Sequence, residues 1–153
     1  MHLLKTVQKI PVDIRTAWEF FSSPGNLKVI TPPGMGFNIT SQYSEDKMYS
    51  GMIITYIVKP FPLIPVKWVT EITHVSEPYY FVDEQRFGPY RFWHHQHKFR
   101  EIVGGTEVTD IIHYKLPFWF IGKIVYRLIV KRQLKKIFDY RSEKMKEIFG
   151  ICD

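Results

Sequence analysis

The most restrictive feature of this sequence is a change of rhythm at Pro117. Before it, segments of alternating or β-branched and aromatic character follow one another: Phe37 to Tyr43, Met52 to Lys59, Val66 to Val75, Tyr79 to Phe87, Arg91 to Val103 and Thr106 to Tyr114. Turn signals such as Ser50-Gly51, Gly88-Pro89 and Gly104-Gly105 separate them, which predicts an antiparallel meander. After Pro117 the apolar residues Phe120, Ile124, Val130, Leu134, Ile137, Phe138, Met145, Ile148 and Phe149 fall on one stripe of a 3.6-residue period, which predicts a long helix. Ile121, Val125, Leu128 and Ile129 lie off that stripe, so this part of the helix is expected to be covered on more than one side or to contact something besides the sheet. Upstream, Leu3 to Ile10 reads as a first strand, and Asp13 as the N-cap of a short helix from Ile14 to Ser22. A second short helical turn is expected at Asn26 to Ile30, before the breaker run Thr31 to Gly34. A sheet with one face to bury and a helix with one stripe to bury solve both problems together, an α+β fold with the helix across a curved sheet.

The 153 residues suit one domain over 1–153. With 45% hydrophobic and 16% aromatic residues the chain is too apolar for disorder. Its one cysteine, Cys152, excludes an internal disulfide framework and a thiolate zinc site and fits a reducing compartment, the cytoplasm by default. Lys5 and Lys9 interrupt any export signal, and Leu116 to Val130 carries Lys123 and Arg127 and falls short of the roughly 20 residues of a bilayer span. The net charge of +6 is uneven: residues 1–117 carry 12 basic and 11 acidic side chains, and residues 118–153 carry 9 and 4. The helix therefore holds the basicity, from Lys123 to Lys146 and including Arg141, read as a solvated face with weak attraction to anionic membranes. No nucleic-acid motif accompanies it.

Turn lengths predict which side chains converge. A three-residue loop at Gly88 to Tyr90 sets Phe87 opposite Arg91, Gln85 opposite Trp93, Asp83 opposite His95 and Phe81 opposite His97. A two-residue loop at Gly104-Gly105 sets Phe99 opposite Asp110, His97 opposite Ile112 and His95 opposite Tyr114. One face thus collects Phe81, Asp83, Gln85, Phe87, Trp93, His95, His97, Phe99, Val108, Asp110, Ile112 and Tyr114. The other collects Glu84, Arg86, His94, Gln96, Lys98, Arg100, Thr109, His113 and Lys115, with His94 expected in solvent. Burying unpaired polar groups costs about 1–3 kcal/mol each, so Asp83, Gln85, His95, His97 and Asp110 must satisfy one another, water or a ligand.

The run from Phe81 to Phe99, with Gly104 to Asp110, Tyr114 to Pro117, Ile30 to Pro33 and Trp68 to Ile72, resembles a bacterial branch of the SRPBCC superfamily, the START-like helix-grip proteins. The resemblance covers nearly the whole chain. It implies a seven-stranded antiparallel sheet gripping the last helix around a deep hydrophobic cavity, in proteins that carry lipids or sterols, bind coenzyme Q, sense plant hormones, or cyclise polyketides.

Asp83, His95, His97 and Asp110 admit three readings: a hydrogen-bonded network that fixes the register, an acid/base site of cyclase or dehydratase type, and a metal site of two imidazoles with carboxylates. The aromatics Trp68, Phe81, Phe87, Trp93, Phe99, Tyr114 and Trp119 read as core or as a stacking wall, with Tyr56 fitting either. Pro60 to Pro65 reads as an apolar loop outside ordinary strand pairing, a cap or an entrance lid together with Met35 to Phe37. The expected function is binding of a hydrophobic small molecule, lipid, isoprenoid or aromatic, by Trp68, Phe81, Asp83, Gln85, Phe87, Trp93, His95, His97, Phe99, Asp110, Ile112 and Tyr114. No cofactor, metal, nucleic-acid partner or stable membrane insertion is implied. The alternatives are catalysis by His95, His97, Asp83 and Asp110, and a membrane-surface or partner-binding module built on the basic helix.

Overall fold

The computed structural model describes residues 1–41, 47–61, 64–116 and 123–152. Tyr43, Pro62-Leu63 and Pro117 to Gly122, with Trp119, Phe120 and Ile121, lie outside these, as do the side chains of Pro60, Phe61, Ile124 and Val125. Strand β1 (His2–Ile10) is followed by helix α1 (Ile14–Phe21), two 3-10 turns (Pro24–Leu27 and Pro33–Met35), then β2 (Asn38–Ile39), β3 (Ile53–Phe61), β4 (Ile64–Ser76), β5 (Tyr80–Phe87), β6 (Phe92–Ile102), β7 (Gly105–Lys115) and helix α2 (Lys123–Phe149). The seven strands form one antiparallel sheet in the order β1-β7-β6-β5-β4-β3-β2. The first strand thus closes on the last.

Helix α1 begins where Asp13 accepts hydrogen bonds from the Arg15 and Thr16 backbone N–H groups at 2.9 and 3.0 Å. Its stripe of Ile14, Ala17, Trp18 and Phe21 is buried, and Trp18 meets Phe81 and Phe99 edge-on at 5.8 and 5.7 Å between centroids. The predicted second short helix takes the form of 3-10 turns. The predicted strand from Phe37 narrows to Asn38–Ile39, because the Thr40 and Ser41 N–H groups both turn to the Thr55 carbonyl.

Helix α2 buries Val130, Leu134, Phe138 and Met145, the expected stripe, with Ile112 and Tyr114 among the residues clustered on it. Ile148, expected on the same stripe, is exposed, and so are Leu128 and Ile129, which therefore lack the second cover expected of them among the described residues. The Pro60 to Pro65 segment also differs from expectation. Phe61 pairs with Ile64, so strand structure runs through both ends of it, with the register slipping between Val58 and Phe61.

Two other departures matter for the site. The β6–β7 turn is Val103-Gly104, since Ile102 already pairs with Gly105. Gly104 takes a φ of +82°, and a Cβ on Gly105 would lie 2.1 Å from the Ile10 carbonyl oxygen, so Gly105 belongs to the strand against β1 rather than to the turn. In β5, the ladder passes from Thr70 opposite Gln85 to Val69 opposite Phe87, leaving Arg86 as an extra residue. A bulge of one residue reverses the face, and Phe87, expected inside, is 63% exposed.

Candidate functional site

Asp83 on β5, His95 and His97 on β6, and Asp110 on β7 face the helix side of the sheet, as strand parity requires. Asp83 stands opposite His95 and Phe81 opposite His97, as predicted. On the other flank the turn shift moves every pair by two residues: Asp110 stands opposite His97 rather than Phe99, Ile112 opposite His95, and Tyr114 opposite Trp93. A slip of two preserves the face. Glu84 and His94 remain on the outer side, but His94 is half-buried, its Nδ1 2.7 Å from Glu84 Oε1, rather than free in solvent.

The four side chains close a ring. His97 Nε2 donates to Asp83 Oδ2 and His95 Nε2 to Asp110 Oδ1, each at 2.9 Å. The opposed Nδ1 atoms approach the same carboxylates, His95 to Asp83 Oδ2 at 3.2 Å and His97 to Asp110 Oδ1 at 2.9 Å. These latter contacts have ion-pair distances without hydrogen-bond alignment, and His97 Nδ1 is left buried without a hydrogen-bond partner. The imidazole centroids are 3.7 Å apart. Trp93 Nε1 donates to Asp83 Oδ1 at 3.3 Å.

Burial pushes the Asp83 carboxyl up, but the His95 charge and hydrogen bonds from both imidazoles more than reverse this and hold it well below the usual range. Burial likewise opposes ionisation of Asp110, and hydrogen bonds from His95 and His97 again prevail and lower it. Burial pulls His95 down, while the Asp83 charge and the Asp110 hydrogen bond raise it above its ordinary value. Burial, then the Asp83 charge, push the Tyr56 hydroxyl up, so it stays a neutral phenol, bonded to Thr70 Oγ1 at 3.1 Å.

Asp83, His95 and His97 each offer one ligand atom within 4.8 Å of the others, the spacing of a metal site. Their aligned nitrogens, however, aim at carboxylates of two different residues. A metal would have to replace those hydrogen bonds, so the observed geometry suits proton sharing better.

A cavity of about 140 Å³ lies between the sheet, α2 and the two 3-10 turns. Of the predicted ligand-binding residues, Trp68, Phe81, Asp83, Trp93, His95 and His97 line it. Phe99 and Ile112 are buried in the packed core instead, and Tyr114 sits in the cluster beneath α2. Asp110 stands behind the imidazoles. Gln85 is committed elsewhere: its Nε2 donates to the Tyr90 carbonyl at 2.6 Å and its Oε1 accepts from the Tyr90 N–H at 3.2 Å, which clamps the β5–β6 turn. Tyr56, Tyr90, Phe37 and Met35 complete an aromatic wall in which Tyr56 stacks on Trp68 at 5.8 Å and Trp93 meets Trp68 edge-on at 5.3 Å.

The residue the sequence reading misplaced is Arg141. Grouped with the solvated basic face, it is only 7% exposed and lines the cavity. The signal was present: Arg141 continues the i+3/i+4 progression from Leu134 and Phe138 to Met145. Three other basic residues of α2 pair along the helix, Lys135 with Asp139, Lys144 with Glu147 and Lys146 with Glu143. This weakens the field that a membrane-surface reading needs.

A seven-stranded antiparallel sheet curled against a long C-terminal helix, with a cavity between them, is the helix-grip architecture. The chain shares this fold with a START superfamily protein from Mycobacterium smegmatis, at a TM-score of 0.67 and 8% identity over 97% of this chain and 99% of that one. It is similar also to protein Ms6760 from M. smegmatis (TM-score 0.68, 17% identity, 95% and 89% covered) and to the protein TTHA0849 from Thermus thermophilus (0.67, 12%, 96% and 99%). No protein-family model and no curated protein matches the sequence. At these identities the likeness is one of fold. Among the described residues, no helix is long and apolar enough to cross a membrane.

Proposed function

We propose that the protein binds a hydrophobic small molecule in the cavity between sheet and helix, with its ring system against the Tyr56-Trp68-Trp93 wall and its polar end toward the His/Asp cluster. The observation that carries this is the cavity itself, an aromatic hollow whose lining also includes the ionisable Asp83, His95, His97 and Arg141. Its volume of about 140 Å³ favours a compact ring compound over an extended lipid; apolar voids of about 150 Å³ admit benzene. Native mass spectrometry of freshly purified protein should show a retained compound, or a panel of aromatic compounds should raise the melting temperature. Saturation at a hundred times Kd is worth about 2.7 kcal/mol. Neither a retained compound nor any shift would sink the reading.

One observation favours a second reading, acid/base turnover of cyclase or dehydratase type: His95 and His97 line the cavity while carboxylates fix their orientation. Replacing both by Asn should abolish such turnover and leave binding of an apolar ring compound largely intact, and unchanged rates would remove it.

A further inference from the structure

Arg141 is a buried guanidinium that the cavity does not satisfy. Among the described residues it makes no hydrogen bond: its ion-pair partner, Asp110 Oδ1, stands 3.9 Å from Nη1, Nε is buried without a partner, and the Phe138 ring lies 4.8 Å from Cζ. Asp110 is already engaged by both imidazoles, which leaves the Arg141 charge without a dedicated counterpart. A guanidinium presents five donors in a planar fork, and leaving them unmet in an apolar setting is costly. The Trp68 indole N–H, on the same cavity wall, is likewise buried and unpartnered. Gln8 and Ser22 hold other unpartnered buried atoms and lie off the cavity. The third unpartnered atom on the hollow, His97 Nδ1, faces Asp110 Oδ1 at 2.9 Å within the ring of imidazoles and carboxylates. Outside that ring the unmet groups on the hollow, Arg141 Nε and Trp68 Nε1, are N–H donors, and what complements them is an acceptor.

We infer that the ligand is a ring-sized hydrophobic carboxylic acid whose carboxylate docks on the Nε edge of Arg141, with the Trp68 N–H as an additional donor. This rests on the binding reading above and adds the headgroup to it. A carboxylate matches the fork with two parallel bonds, where a ketone oxygen makes one and a hydrocarbon none. A site built to hydrogen-bond a substrate rejects the analogue that lacks the group, because its own donors are then stranded.

The test is calorimetric titration of the wild-type chain with 2-naphthoate, 2-acetonaphthone and 2-ethylnaphthalene, three probes of similar ring size. The naphthoate should bind at least tenfold more tightly than the hydrocarbon, with the ketone between them. Equal affinities for naphthoate and hydrocarbon overturn the inference and leave the cavity reading standing; binding of none of the three overturns both. In Arg141→Met the preference should vanish with hydrocarbon affinity within threefold of wild type, and its persistence overturns the assignment. Removing an unpaired buried charge should leave the melting temperature of the free protein unchanged or higher. A variant that fails to fold would make the guanidinium structural and also overturn the inference. Trp68→Phe removes the N–H and also trims the stacking surface, which all three probes share, so naphthoate should weaken severalfold more than the hydrocarbon; an equal loss for both, or none for naphthoate, overturns the part given to Trp68.

Discussion

His95 and His97 each stand between two carboxylates, and the balance of protons in that ring makes the fold sensitive to pH in both directions. Asp83 and Asp110 titrate below their ordinary value of 3.8, so their contribution to stability is whole above it and fades as the pH falls toward their folded values. His95 titrates above 6.5, so its contribution is whole below that value and fades as the pH rises through the folded one. Urea denaturation should therefore show greatest stability between about pH 4 and 6.5, near the ordinary carboxylate and imidazole values. His95→Asn should flatten the alkaline decline, and a decline of undiminished slope would count against this account. Asp110→Asn strips one carboxylate from the ring and should cost about 3–5 kcal/mol in the same measurement. Alternation alone was enough to bring these four residues together from sequence. It failed at Phe87, where one extra residue in the strand turns the side chain outward, and at Arg141, where charge concealed a position whose spacing is that of the core.

At the level of elements, turn choice was ambiguous while facing was not. Val103-Gly104 and Gly104-Gly105 are both two-residue loops, and exchanging one for the other shifts the ladder by two residues without moving a side chain through the sheet. What selects the first is the Ile10 carbonyl, which passes where a Cβ of residue 105 would stand, a contact between the first and last strands that local turn rules do not contain. Gly105→Ala should accordingly cost about 1–3 kcal/mol through forced movement of the backbone. Gly104→Ala should cost about 1–2 kcal/mol for its left-handed conformation alone, with no neighbour to displace. Thermal melts of the two variants, read beside the hydrogen exchange of β1 amides, would separate them: only the change at 105 should loosen β1. The bulge at Arg86 in β5, and a second at Thr73 in β4 where the ladder passes from Ile72 opposite Asp83 to His74 opposite Val82, left no mark in residue type, since both are ordinary strand-face residues.

For the whole molecule, the core among the described residues is divided into four clusters: around Trp18, Phe81 and Phe99 under α1, around Ile112, Leu134 and Phe138 under α2, around Phe37, Val58 and Trp68, and around Met52, Ile54 and Ile72, with residues of all four lining the hollow. Trp18→Ala should destabilise by about 3–5 kcal/mol, measured by urea unfolding. Its effect on ring-compound affinity should be small, because Trp18 does not line the cavity. The order of seven strands and a closing helix was legible because each element has a clean period. The hollow's contents were less so, because strand parity says which way a side chain points but not how far the helix stands from it. Asp110 carries a last implication. It holds the imidazoles from the rear without itself lining the cavity, so it acts on the electrical polarity of the binding mould without shaping it. A conservative exchange at that one position would retune which headgroups the hollow accepts while leaving the size of molecule it admits untouched.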